Sequence, residues 1–245
     1  MNTYSEFSDS QQPALNLLKN LRYTYISPAD TVIERGGLFA NVVLENILLN
    51  QMRKINSYEY KGKEHKFSES NIQAALYDLK NVADEGLVRT NERVFDLLTL
   101  GKSYEENIQG DKKSFTLKFI DWENIDNNVF HATDEFEVEG LKETCRPDLG
   151  LFVNGIPFVV IENKRRDKNF SVEEAVSQQI RNQKKEEGIP KLFYYVQLLL
   201  AVHPNEVKYG ATGTAAKFCS VWKEKTDIEK TVHRLIIRMN HRKDW

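Results

Sequence analysis

The sequence predicts an α/β protein: a mixed β-sheet flanked by helices, preceded by a mainly helical N-terminal part. Three observations lead there. Residues 1–90 carry helical apolar spacing in successive segments. Residues 114–164 change texture and alternate, or run apolar, in the manner of strands. A capped helical segment then separates the apolar run before Glu162 from a second apolar run at 191–202, as a crossover between parallel strands requires.

In chain order, PALNLLKNL (13–21) opens with proline at an early helical position and leucines at 15, 17, 18 and 21, predicting a helix. LFANVVLENILLNQMRKI (38–55) has helical spacing throughout and predicts one long helix. SESNIQAALYDLKNV, from 68, predicts an amphipathic helix behind a Ser-x-x-Asn start. SFTLKFIDW (114–122) and VFHATDEFEVE (129–139) read as strands joined by a turn at ENIDNN, and a hairpin follows at 148–164. Ser171-Val-Glu-Glu174 is a capping box, predicting a helix from 172 to about 187 that stops at Gly188 and Pro190. KLFYYVQLLLAV (191–202) reads as a buried strand, with Tyr194 and Tyr195 in the core. KFCSVWKE (217–224) reads as a further strand, and 227–245 as a final helix with a basic end. The division is 1–90, helical, packing on a 91–245 α/β core, within one compact domain.

The totals restrict the function. The 245 residues are 40% hydrophobic and 11% aromatic, enough to bury a core and too apolar for disorder. Thirty-four basic against 36 acidic residues give a net charge of −2, so contact with a polyanion must come from a local patch. Cys145 and Cys219 fit neither a metal spacing nor a disulfide framework, pointing to a reducing, cytoplasmic setting. No segment approaches the ~18 apolar residues of a membrane span, so no membrane association is expected. The histidines, His131, His203 and His233 among them, show no ligand spacing and read as structural or exposed. KYGATGTAAK (208–217) is glycine-rich but lacks the order of a phosphate-binding P-loop.

The informative stretch is RPDLGLFVNGIPFVVIENKRR (146–166). Asn154-Gly155 between apolar runs is a hairpin signal, and period two puts Glu162 and Lys164 on one face. Asp148 joins them only if the ladder is irregular. A strict two-residue turn pairs 148 with 161, on the opposite face. A three-residue loop pairs 148 with 160 and makes Asp148 the diagonal neighbour of Glu162, ~7–8 Å away at the backbone. Carboxylates reaching in from that separation can share a hard cation at about 2.0–2.1 Å. The expectation is therefore an odd-length loop, or a bulge elsewhere in the hairpin. The bland alternative is chance, because 29% of the residues are charged and Asp followed downstream by Glu-x-Lys needs no function.

CRPDLGLFVNGIPFVVIENKRR, EEAVSQQIRNQ and KLFYYVQLLLAV…KYGATGT together resemble the N-terminal nuclease domain of the R subunit of type I restriction-modification enzymes, a branch of the PD-(D/E)xK nuclease superfamily. The likeness runs from about 120 to 224 and is weaker before that. It implies a restriction-endonuclease-like core, with Asp148 and Glu162 binding Mg2+, and Lys164 orienting or activating the attacking water and stabilising phosphate charge. Gln178 matches the glutamine of the family's Gln-x-x-x-Tyr motif, but Asn182 stands where tyrosine is usual. Gln11-Gln12-Pro13 replaces the glutamate often found before the first-helix proline, and Glu45 is a candidate substitute. The implied substrate is double-stranded DNA, and the implied partners are methyltransferase and specificity subunits. ATP would act only through a motor domain of which this sequence carries no motif, so the chain is expected to be the nuclease part of a longer subunit.

Arg165, Arg166 and Lys168, with Arg181, Lys184 and Lys185 on the next helix, are candidates for a phosphate-binding face, although a solvated surface explains any one of them equally well. Two rival functions remain open: a repair or recombination nuclease using the same residues, and a catalytically weak DNA-binding or docking module that keeps the fold as scaffold.

Overall fold

The computed structural model describes residues 12–164, 172–186, 188–203 and 206–223. Its helices are α1 (Gln12–Asn20), α2 (Pro28–Glu34), α3 (Glu45–Ile55), α4 (Glu69–Lys80), α5 (Leu87–Leu100), α6 (Val172–Asn182) and α7 (Pro190–Phe193). The strands are β1 (Thr24–Tyr25), β2 (Tyr58–Tyr60), β3 (Lys63–His65), β4 (Lys102–Ile108), β5 (Asp111–Leu117), β6 (Phe130–Asp134), β7 (Val138–Glu139), β8 (Thr144–Cys145), β9 (Leu149–Val153), β10 (Ile156–Asn163), β11 (Leu198–His203), β12 (Glu206–Gly210) and β13 (Ser220–Val221).

Seven of these strands form one mixed sheet in the order β1-β6-β9-β10-β11-β12-β13. β10 and β11 run parallel, joined through α6, while β9–β10, β6–β9 and β11–β12 are antiparallel. Period two sends alternate residues of the central strands to two covers. Ala132, Leu149, Leu151 and Ile161 pack against Leu15 and Leu18 of α1. The other face is larger. There Phe152, Val160 and Leu199 join Leu48 and Met52 of α3, Leu79 of α4, Leu98 of α5 and Leu192 of α7 in one apolar cluster. Further along that face, Ala201 packs under Val172, Ala175 and Val176 of α6. This is an α/β fold of restriction-endonuclease-like form.

The structure corrects the sequence reading in several places, each for a local reason. The predicted helix at 38–55 begins only at Glu45. Residues 38–44 are irregular because their backbone groups have tertiary partners. Leu44 N–H bonds the Gly155 carbonyl at 2.8 Å, and the carbonyl of Asn41 accepts from the buried Arg35 guanidinium at 3.2 Å. Arg35 lies over the Phe136 ring at 4.5 Å, and burial pulls its pKa down to about 10.

Segments 114–122 and 129–139 do not form a hairpin. β5 pairs with β4 about Gln109-Gly110, both at positive φ, and β6 joins the main sheet. After Leu117 the strand ends because Asn56 captures both backbone groups of Lys118, at 2.7 and 2.8 Å. The apolar run at 191–202 divides into α7 and β11, an ambiguity continuous apolarity cannot resolve; Pro190 opens the helix, and Gln197 N–H reaches the Phe158 carbonyl at 2.9 Å. Tyr195 is buried outside any strand, its hydroxyl donating to the Leu79 carbonyl. Of the run 217–224 read as a strand, the described residues 217–223 hold strand only at Ser220–Val221. Ser68 does precede α4, but its hydroxyl donates to Glu106 instead of accepting from its own helix. The capping box at Ser171 and the helix at 227–245 lie outside the described residues.

Candidate active site

The site is produced by the hairpin β9–β10. Its loop is the two-residue one, with Val153 paired to Ile156 and both Asn154 (φ 52°) and Gly155 (φ 82°) left-handed. Asn154 is buried and fixed on both ends of its amide: Oδ1 accepts from Val129 N–H, and Nδ2 donates to Phe119 O and Asn128 Oδ1. A side chain at Gly155 would put its Cβ 2.5 Å from the Leu44 carbonyl oxygen, so glycine is required there.

The irregularity comes three residues later. Pro157 pairs with Phe152, yet Val159 pairs with Leu151, which makes Phe158 the extra residue of a bulge. Beyond it Ile161 stands opposite Leu149, and one further step sets Asp148 opposite Glu162. Directly opposed residues share a face, with Cβ atoms ~4.5–5.5 Å apart. Of the two devices expected from the sequence, the bulge is the one present.

Four side chains converge there. Glu162 is fully buried, and its Oε2 accepts from Gln178 Nε2 at 3.0 Å. The other end of that amide, Oε1, accepts from Lys164 Nζ at 2.8 Å; this is the amide orientation in which donor meets acceptor at both ends. Asp148 Oδ2 accepts from the Asn163 backbone N–H at 2.7 Å, tying its carboxylate to the strand that carries Glu162. Asp148, Lys164 and Gln178 are half-buried. A buried carboxylate is tolerated because a hydrogen-bonded ammonium stands one amide away.

Around this centre, Cys145 has its pKa raised, chiefly by burial and then by Glu143 and Glu162, while Arg181 opposes the rise. Arg181 is exposed in the last turn of α6, within electrostatic reach of this edge. Lys185 is engaged with Asp84 at 3.2 Å. Arg165, Arg166 and Lys168 lie outside the described residues.

The candidate substitute Glu45 is not at the site. It pairs with Lys80 and Asn41 beside the hairpin turn, since its neighbour Leu44 bonds Gly155. Seven residues of strand, ~23 Å at about 3.3 Å each, separate that turn from Glu162. Gln12 sits on α1, which covers the opposite face of the sheet, with Nε2 donating to Asn16 Oδ1; Gln11 lies outside the described residues. Asn182, where tyrosine was expected, is buried, and its carbonyl accepts from Ile189 N–H at 2.8 Å. The residue that sequence reasoning passed over is Asn163, which acts through its backbone and so leaves no signal in side-chain type.

Among the described residues no group of three His, Cys, Asp or Glu side chains is gathered as a metal cage. The donor set at 148 and 162 is two carboxylates. That suits Mg2+, which takes hard oxygen ligands and is ordinarily held by one or two carboxylates with water and substrate phosphate completing its shell.

A mixed sheet with flanking helices, carrying Asp and Glu-x-Lys on a bulged central hairpin, defines a protein of the restriction-endonuclease-like class. Residues 3–218 match the family described as the type I restriction enzyme R protein N terminus, and the chain belongs to that family. It is 28% identical over 206 residues, 82% of its length, to a Methanocaldococcus jannaschii protein provisionally named the MjaIXP type I restriction endonuclease subunit. It is 26% identical over 229 residues, 91% of its length, to the type I restriction enzyme HindI endonuclease subunit of Haemophilus influenzae. These alignments cover 19% and 21% of the relatives, so the chain spans about a fifth of their length. No described helix is long and apolar enough to cross a membrane.

Proposed function

We propose that this chain is the nuclease part of a type I restriction R subunit, hydrolysing phosphodiester bonds of double-stranded DNA with Mg2+ held between Asp148 and Glu162. The observation that carries the reading is the Gln178 amide bridging Lys164 to Glu162, opposite the carboxylate that the bulge delivers. A bound Mg2+ would supply Lewis acidity at the phosphate and lower the pKa of the attacking water.

The protein's own groups do the rest. Asn163 N–H and Gln178 Nε2 aim the two carboxylates. The Gln178 oxygen holds the Lys164 ammonium beside them, where its charge offsets the negative charge that develops on the phosphoryl oxygens. With a net charge of −2 and no groove-reading motif, the chain cuts without reading sequence. Specificity and methylation fall to partner subunits, and ATP-driven translocation to the remainder of a subunit of the relatives' length, in the cytoplasm. The apolar cluster shared by α3, α4, α5, β9, β10 and β11 supports treating the helical 1–90 part and the α/β core as one unit.

A plasmid-nicking assay of the assembled complex tests this. Lys164→Ala lowers the cutting rate about 10²–10³-fold with the complex intact. Wild-type cutting by that variant contradicts the mechanism.

A further inference from the structure

The strand beside Glu162 brings one more chemically able side chain to the same edge. β10 and β11 pair Glu162 with Ala201 and Asn163 with Val202, and Lys164 N–H donates to the Val202 carbonyl at 2.8 Å. The pairing therefore carries on past the last registered residue, and His203 is the neighbour of Lys164. Its face follows from alternation. Ala201 packs under α6, the helix that bears Gln178, so residue 203, two further on, lies on that same face. Adjacent strands are ~4.8 Å apart. On the far side, β11 and β12 pair His203 with Glu206, whose Oε1 is 4.0 Å from Lys208 Nζ. His203 and Lys164 are both half-buried, each with part of its surface in solvent.

The order across this edge is thus ammonium, imidazole, carboxylate. A polyanion lying along the edge is attracted over Lys164 and meets the His203 ring next, with Glu206, paired to Lys208, beyond it. Imidazole offers an N–H donor, and phosphate oxygens take most protein–DNA hydrogen bonds, which fix position without reading sequence. We propose that His203 is a second DNA-contacting residue of this site, donating to the phosphate that flanks the one facing Lys164. The inference rests on the nuclease reading above and adds a residue to it.

The test uses the 245-residue chain and a short DNA duplex, with Ca2+ in place of Mg2+, and reads affinity by fluorescence anisotropy. His203→Ala weakens binding about tenfold, as loss of a hydrogen bond to a charged group implies. His203→Gln, which keeps an N–H donor, stays within about twofold of wild type. In the assembled complex His203→Ala raises KM for DNA and leaves kcat within about twofold, whereas Lys164→Ala lowers kcat. His203→Leu, close in volume and without a donor, replaces the alanine variant if that one melts early. Wild-type affinity and KM in both donorless variants, alongside Lys164-dependent cutting, overturn the His203 contact alone. A wild-type chain that binds no DNA overturns the His203 contact, and a Lys164→Ala complex that still cuts overturns the nuclease reading and this contact with it.

Discussion

Gln178 shows how the site works at the scale of one residue. Its amide links Glu162 to Lys164, with donor and acceptor both engaged at 3.0 and 2.8 Å. Gln178→Ala leaves the buried Glu162 without that donor and costs about 1–3 kcal/mol of stability. Lys164 loses its anchor at the same time. The expected kinetic signature is a drop in kcat of about tenfold or more with KM for DNA unchanged, because positioning is lost while phosphate binding is kept. A purely structural role for Gln178 would lower the melting temperature and leave the kcat of the folded fraction untouched. At this scale the sequence was informative. Asp148, Glu162 and Lys164 could be singled out by an Asp and a Glu-x-Lys flanking an apolar hairpin, and Gln178 by its likeness to the family motif. What could not be read was the work of backbone groups, since Asn163 holds Asp148 through an N–H that nearly every residue type possesses.

At the scale of the element, the bulge at Phe158 decides whether a site exists. Without the extra residue the two-residue turn at Asn154-Gly155 would carry a strict ladder, and every residue after it would change face relative to β9. Deleting Phe158 is therefore expected to set Asp148 against the face opposite Glu162. DNA cutting is abolished while far-UV circular dichroism still reports the mixed fold; a deletion variant that cuts normally would show that the register does not matter. Period-two reasoning led to the requirement for an irregularity and left its place open, because a bulge depends on what packs against the strand: Phe158 lies against Trp122, ring centroids 6.4 Å apart. Other misreadings have the same origin. Residues 38–44 have helical spacing but give their hydrogen bonds to Arg35 and Gly155. Lys118 has its backbone taken by Asn56, a residue 62 positions earlier. Periodicity reports which side of a segment is apolar, and is silent about distant partners for the backbone.

Over the whole molecule, both covers of the sheet serve one edge. α1 closes the face away from the site, and α3, α4, α5 and α7 fill most of the other. α6 completes that second face and delivers Gln178 to the ends of β10 and β11. The α/β class and the mixed sheet were legible because alternation and apolar runs survive averaging over many residues; strand order was not, since β1 enters the sheet as its first strand on only two residues, paired with β6. On the proposed reading, the near balance of charge leaves affinity for DNA to local groups at this edge. The central claim is that the bulged hairpin makes a divalent-cation site from two carboxylates, and calorimetric titration of the chain with Mg2+ tests it most directly. Wild type is expected to bind with a measurable heat that Asp148→Ala and Glu162→Ala each remove, while both variants stay folded. Identical titration curves for wild type and Asp148→Ala would contradict the account.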